Sequence, residues 1–395
     1  CMNCDRMKSD QSLKVNKARS SLPPGGNWQN NDAITFGRVQ RLEVCSQEDQ
    51  ACILLEEVRR LQRLQNGFDF GECAILAREW KGLDLVRAVF EQEKIPVSLN
   101  WGRTSAFPRL SKIRENAVLL EHLRNSRLET RTASSLLAFV PVDSAEDTLW
   151  HTNLRKLIGE WQEETNDYHQ PVSLIEDYFY EALSDQSRSK KLSNGILLST
   201  VHSIKGLEFD HVFLLGDGWQ KKPVMEMEEE RRLYYVGMSR ARETLHLFNL
   251  TDAPNPHAAS LTGGFMVSRK LPSVKGELLV NKQYTLLGMG DLFLDFAGIK
   301  NANHPRRKAL QKLQAGDRLQ LEVRNDHLEL VNHDGISVAR LSKTAQTEWE
   351  GKVGLIRESR VVAIVRRNKD DISDKMFSSR CHGESWEVPV VELCY

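Results

Sequence analysis

Ser199-Thr200-Val201-His202-Ser203-Ile204-Lys205-Gly206-Leu207-Glu208-Phe209 is the stretch on which the reading of this chain turns. Its partner is Glu228-Glu229-Glu230-Arg231-Arg232-Leu233-Tyr234-Tyr235-Val236-Gly237-Met238-Ser239-Arg240-Ala241-Arg242. The first follows an apolar run, Ile196 to Leu198, and passes through polar residues and a glycine into a second apolar run, His211 to Leu215. Two short apolar runs joined by a polar loop suit a parallel sheet with functional groups at its strand ends. In the second stretch acidic residues lead and arginines close. That order fits a helix macrodipole and predicts a helix that presents Arg240 and Arg242 near its C-terminal end, before a strand from Leu245 to Leu250. A guanidinium placed this way is the group that neutralises charge on a transferring phosphoryl.

The 395 residues exceed one average domain and suggest two or three. Lysine plus arginine equals aspartate plus glutamate at 54 each, so a nucleic-acid partner requires a local basic face rather than bulk charge. The 7 cysteines are scattered, and no long apolar segment or signal peptide is visible, so the chain reads as a cytoplasmic protein with reduced thiols and no membrane partner. Cys1 and Cys4 form a lone CxxC pair; without further ligands no metal site is assigned. A start at Cys1 rather than at a methionine reads as a piece of something longer. No G-x-x-x-x-G-K-[ST] phosphate loop occurs, nor an Asp-Glu pair after an apolar strand.

Residues 1–35 are polar, broken by Pro23-Pro24-Gly25-Gly26, and read as an extended lead-in with little to bury. A strand at Val39–Val44, a helix from Gln47 to Leu64, a strand at Cys73–Ala77 ending in Arg78 and a helix before Pro96 open an α/β segment over 36–124. Residues 125–192 read as a helical insert carrying Trp150, Leu154, Leu157, Ile158 and Trp161, then Ile175, Tyr178, Phe179 and Leu183. The parallel sheet resumes over 193–250. Residues 251–275, rich in Pro, Gly, Ser and Ala, read as a linker. Residues 276–395 form a small β-rich, barrel-like domain, with strands near 319–323, 328–331, 336–341 and 361–365 and a hairpin turn at Asn332-His333-Asp334-Gly335. Gly316-Asp317-Arg318-Leu319-Gln320 reads as a turn before the first of these strands. Lys300, Arg306, Arg307, Lys308 and Lys312 are the tail's basic cluster, open to DNA binding or to a docking role.

The run Thr200 to Phe209 resembles motif V of the UvrD/Rep-type superfamily-1 DNA helicases, and Glu228 to Arg242 resembles their motif VI, with Val236-Gly237-Met238-Ser239-Arg240-Ala241 intact. The strand ending in Arg78, with the helix after it, resembles motif IV. The tail is similar to those appended to large bacterial helicase fusions, and 316–345 resembles HIRAN-type modules, which bind DNA ends. The resemblance implies a RecA-like second motor domain (2A) with a short 2B-like insert: the C-terminal half of an ATP-dependent, 3′-to-5′ DNA helicase. It further implies that Arg240 and Arg78 act as arginine fingers. Gly206 and Glu208 would meet the nucleotide, with Glu208 on the ribose, and Thr200 and His202 would touch the DNA backbone. ATP and Mg²⁺ would be completed by an upstream RecA-like domain bearing the phosphate loop, and the partner would be single-stranded or partly duplex DNA. The competing expectation is a non-catalytic nucleic-acid or protein-interaction module on the same scaffold.

Overall fold

The computed structural model describes residues 28–32, 34–35, 38–99, 107–141, 148–189, 195–204, 206–219, 224–261, 266–273, 282–372 and 378–395. The Cys1/Cys4 pair and the Pro23–Gly26 break lie outside them. The chain divides into two compact units, Cys1–Val97 with Asn194–Asn281, and Ser98–Ser193 with Lys282–Tyr395.

Among the described residues the sheet of the first unit has seven strands: β1 (Val39–Val44), β2 (Cys73–Ala77), β3 (Val97–Leu99, of which Val97 is the unit's last residue before the insert), β4 (Ile196–Thr200), β5 (Phe209–Leu214), β6 (Ala241–Leu250) and β7 (Met266–Lys270). They stand in the order β3-β4-β2-β5-β6-β1-β7, and every pairing from β4 to β7 is parallel. Helices α1 (Trp28–Asn31), α2 (Gln47–Leu64), α3 (Lys81–Gln92), α4 (Val224–Met238) and α5 (Pro256–Ala259) accompany them. Strands covered on both faces need continuous apolar runs, and β2 and β4 are buried at every position. On one face Ala74, Leu76, Val212, Leu214, Leu245 and Leu247 pack with Tyr234 of α4 and Ala258 of α5.

Two expectations change here. The helix ends at Met238, so Arg240 lies in the turn beyond it and Arg242 lies in β6, paired with Asp210 (2.9 Å) and Glu72. The segment 251–275 is more than a linker: it supplies α5 and the edge strand β7, because Ala258 and Leu261 find a place in the core.

The other face carries a polar cluster that local sequence does not announce. His211 pairs through its ring nitrogens with Thr244 Oγ1 and Gln65 Oε1, each at 2.8 Å, and Thr244 also meets His246 at 3.3 Å. Arg60 joins Glu57 (2.7 Å) to Asp32 (2.5 Å), and Arg269 closes on Glu57 at 2.7 Å. The lead-in therefore buries something after all. Trp28 is 6% exposed, lies edge-on to His211 at 5.6 Å, and donates to Glu243. Burial pushes His211 down to about 4, and burial with Arg60 nearby pushes His246 well below its ordinary value. Folding keeps both rings neutral, so their contribution is complete above the unfolded value near 6.5 and shrinks as pH falls. Urea unfolding of the chain is predicted to show a loss on the order of 3 kcal/mol from His211 between pH 6.5 and 4, and His246 adds to it. His211→Gln should flatten that slope.

In the second unit the helical insert and the β-rich tail, expected as separate domains, share one core, and residues 98–124, expected in the α/β segment, belong to this unit as well. Strands β8 (Tyr284–Leu287), β9 (Arg318–Arg324), β10 (His327–Val331), β11 (Ser337–Arg340), β12 (Glu358–Asn368) and β13 (Ser385–Cys394) form an antiparallel sheet in the order β8-β13-β12-β9-β10-β11. Leu120, Leu123, Trp150, Leu157 and Phe179 of the helices Arg114–Asn125, Leu149–Thr165 and Val172–Ser189 lie in one apolar cluster with Val361, Ile364, Val388 and Val390. Trp150 Nε1 donates to Val362 O (2.9 Å), and Arg366 meets Glu121 at 2.6 Å. Asn332 Oδ1 accepts from Asp334 N and Ile336 N, which builds the expected hairpin turn.

Within the basic cluster, Arg306 lies over the Phe296 ring at 3.4 Å and donates to Ser337 O, and buried Arg307 donates to Ser385 O. Only Lys308 and Lys312 of the cluster are exposed. Gly298 lies against Trp386: a β-carbon there would come within 2.8–3.0 Å of three indole ring atoms. Trp386 is fully buried and tied to Leu294 O, so it cannot yield. Gly298→Ala is predicted to destabilise the second unit by about 1–3 kcal/mol, read as a lowered urea midpoint.

Candidate functional site

The six residues singled out from sequence all lie in the first unit, and they separate to its two edges. At the carboxyl edge β2 and β4 end side by side, with Ala77 paired to Thr200. Thr200 is 7% exposed and donates its hydroxyl to Ser203 Oγ at 3.0 Å. His202 follows in the 3₁₀ turn Val201–Ile204 with its side chain exposed, while Val201 and Ile204 are buried on either side. Arg78 leaves the end of β2 and forks onto Glu230, Nε to Oε2 at 2.8 Å and Nη2 to Oε1 at 2.7 Å. Hydrogen bonds to that carboxylate hold the guanidinium above its ordinary range.

At the amino edge β5 and β6 begin together, with Phe209 paired to Ala241 and Phe209 N donating to Arg240 O at 2.9 Å. Glu208 and Arg240 are thus next to the first residues of adjacent strands. Arg240 donates Nη1 to Leu207 O (3.1 Å), Nε to Val236 O (3.0 Å) and Nη2 to Ser239 Oγ (2.9 Å). Glu208 is exposed. Gly206 turns the chain at φ +94° with no atom within 4 Å of where a β-carbon would stand, leaving open backbone beside the two side chains. An exposed carboxylate, an arginine and bare backbone fit the hydroxyl and phosphate groups of a nucleotide.

The two arginines do not converge on one point. Leu76 is level with Leu214 and Leu214 with Leu247, whereas Arg240 precedes Ala241. The backbones of Arg78 and Arg240 therefore stand roughly 25–30 Å apart along the strands. Two arginine side chains reaching toward each other do not close such a gap onto a single phosphoryl group, and this corrects the expectation of paired fingers. Glu230 was read only as part of an acidic helix start; the spacing of Glu230, Tyr234 and Gly237, one helical face, was the signal that it turns inward.

The two edges are joined by the segment between β4 and β5 and by α4, in the order strand, crossover, strand, helix, strand. The sequence profile of the UvrD-like helicase C-terminal domain matches residues 110–251. The ATP-dependent DNA helicase PcrA of Staphylococcus aureus is 33% identical over 121 residues, covering 27% of this chain and 17% of that protein. PcrA of Staphylococcus epidermidis is 35% identical over 108 residues, covering 24% and 15%. The chain thus matches well under two thirds of either relative's length. The UvrD-like segment crosses both compact units, beginning in the second and ending in the first. Among the described residues no cluster of ligands suits a metal ion, and no helix is long and apolar enough to cross a membrane.

Proposed function

We propose that this chain is the C-terminal motor half of an ATP-dependent DNA helicase, working 3′ to 5′ on single-stranded or partly duplex DNA in the cytoplasm. The observation that carries the reading is that Glu208 and Arg240 directly precede the paired first residues Phe209 and Ala241 at one sheet edge, within a segment that matches the UvrD-like family. Arg240 stabilises charge on the γ-phosphoryl group, Glu208 accepts hydrogen bonds from the ribose, and Gly206 lets the backbone approach. Mg²⁺ and the phosphate loop belong to an upstream RecA-like domain; bound ATP with Mg²⁺ supplies the phosphoryl group to be transferred. His202, exposed beyond the carboxyl edge, contacts the DNA backbone, and Thr200 holds the turn that presents it. Arg78 is assigned to that edge and not to the phosphate.

Two measurements test the reading. The 395-residue chain by itself should release no phosphate from ATP above a blank, with or without DNA, and robust turnover that follows the purified protein would sink it. In the protein assayed with its phosphate-loop domain, Glu208→Ala should raise KM for ATP several-fold with little change in kcat. A ribose contact is present in ground and transition states alike.

A further inference from the structure

We propose that Glu230 is a positioning residue for turnover: its ion pair with Arg78 fixes α4 at the carboxyl edge of the sheet and so fixes Arg240 at the amino edge. The inference rests on the nucleotide-facing reading of Arg240.

Of the three consecutive glutamates, Glu228 is spent at the surface on Arg231 and Arg232, and Glu229 is exposed. Glu230 is 8% exposed. A carboxylate so enclosed is costly without a partner, and the Arg78 fork supplies two charge-assisted hydrogen bonds. The rest of this helix face leaves no slack. Tyr234, 1% exposed, stands edge-on to Trp219 at 4.9 Å. A β-carbon at Gly237 would lie 3.2 Å from both Leu214 and Val201, so the helix backbone rests directly on β5 and the crossover. The last turn then offers Val236 O to Arg240. Among the described residues α4 contacts Arg78 through Glu230 and Arg240 through Val236. A closely packed helix transmits displacement from end to end instead of absorbing it. Release of Glu230 therefore moves the carbonyl that orients Arg240. Because Ala77 pairs with Thr200, the same ion pair ties α4 to the edge that carries His202.

The test is a double-mutant cycle in the protein assayed with its phosphate-loop domain, on saturating single-stranded DNA and well below the melting temperature of every variant. Glu230→Gln and Arg78→Ala should each lower kcat by about tenfold, with KM for ATP within about twofold, as for coupling from outside the reacting centre. The double variant should be no worse than either single, since both remove one link. The charge swap Glu230→Arg with Arg78→Glu should recover part of the loss. In the 395-residue chain alone, Glu230→Gln should speed amide exchange at 236–240. Parental kcat in Glu230→Gln, losses that multiply in the double variant, or unchanged exchange at 236–240 would each overturn the proposal. A purely structural role would lower the melting temperature and leave kcat per folded molecule unchanged. An Arg240→Ala variant with parental turnover would instead remove the underlying site reading, while the exchange measurement would still report on Glu230.

Discussion

Arg240→Ala, in the protein assayed with its phosphate-loop domain, is expected to lower kcat for ATP hydrolysis by about a thousandfold or more, the scale of an arginine that meets transition-state charge. ATP affinity should change only a few-fold, because the contact strengthens as charge develops on the departing phosphoryl group. Arg240→Lys should fail nearly as badly. Lysine keeps the charge but cannot serve Leu207 O, Val236 O and a phosphate oxygen from one planar group. Those carbonyl bonds also tie α4 to the crossover, so the variants need a melting curve beside the kinetics. A large kcat loss with a shift of a few degrees or less separates catalysis from folding. Turnover like the parent's would remove Arg240 from the site, whatever the sequence resembles.

The second large effect concerns the tail. A fragment of residues 282–395, nearly all of the stretch 276–395 that sequence pattern marks as a domain, is expected not to fold cooperatively by itself. Its strands β12 and β13 bury Val361, Ile364, Val388 and Val390 in the same cluster as Leu120, Trp150 and Phe179 from the helical stretch. Removing 98–193 would strip those side chains of their cover, and each fully buried aliphatic side chain is worth about 1.5–3 kcal/mol. Total stabilities of domains amount to only about 5–15 kcal/mol, so a handful of such losses suffices. The fragment should show no sigmoidal urea transition by circular dichroism. Residues 98–193 and 282–395 joined by a short linker should regain one. A cooperative transition in the tail fragment alone would mean that the shared core is dispensable.

Much of the fold was legible because it is local. Val39–Val44, Gln47–Leu64, Cys73–Ala77 and Ile196–Thr200 form where apolar period and length place them, since strands covered on both faces leave uninterrupted apolar runs. The loop from Thr200 to Phe209 could be located from strand ends alone. Where the helix stops was less legible. Val236-Gly237-Met238 carries no breaker strong enough to say whether Arg240 belongs to the helix or to the turn, and only the pairing of Ala241 with Phe209 decides it. The edge strand β7 and the buried Trp28 were missed for a related reason: each is short and set in polar or small residues, and becomes ordered by what it docks against.

Sequence by itself determined the types of the long, strongly apolar elements and the residue kinds available at each strand end: arginine, glutamate, glycine, threonine and histidine. Tertiary structure alone decided which of these meet. Parallel register sends Arg78 and Arg240 to opposite edges, because a residue that follows a strand and a residue that precedes one cannot share an end of a parallel sheet. It also decided that the helical stretch and the tail, about a hundred residues apart along the chain, share one core. Neither stretch has enough apolar surface of its own to bury, and local pattern carries no record of a partner so distant in sequence.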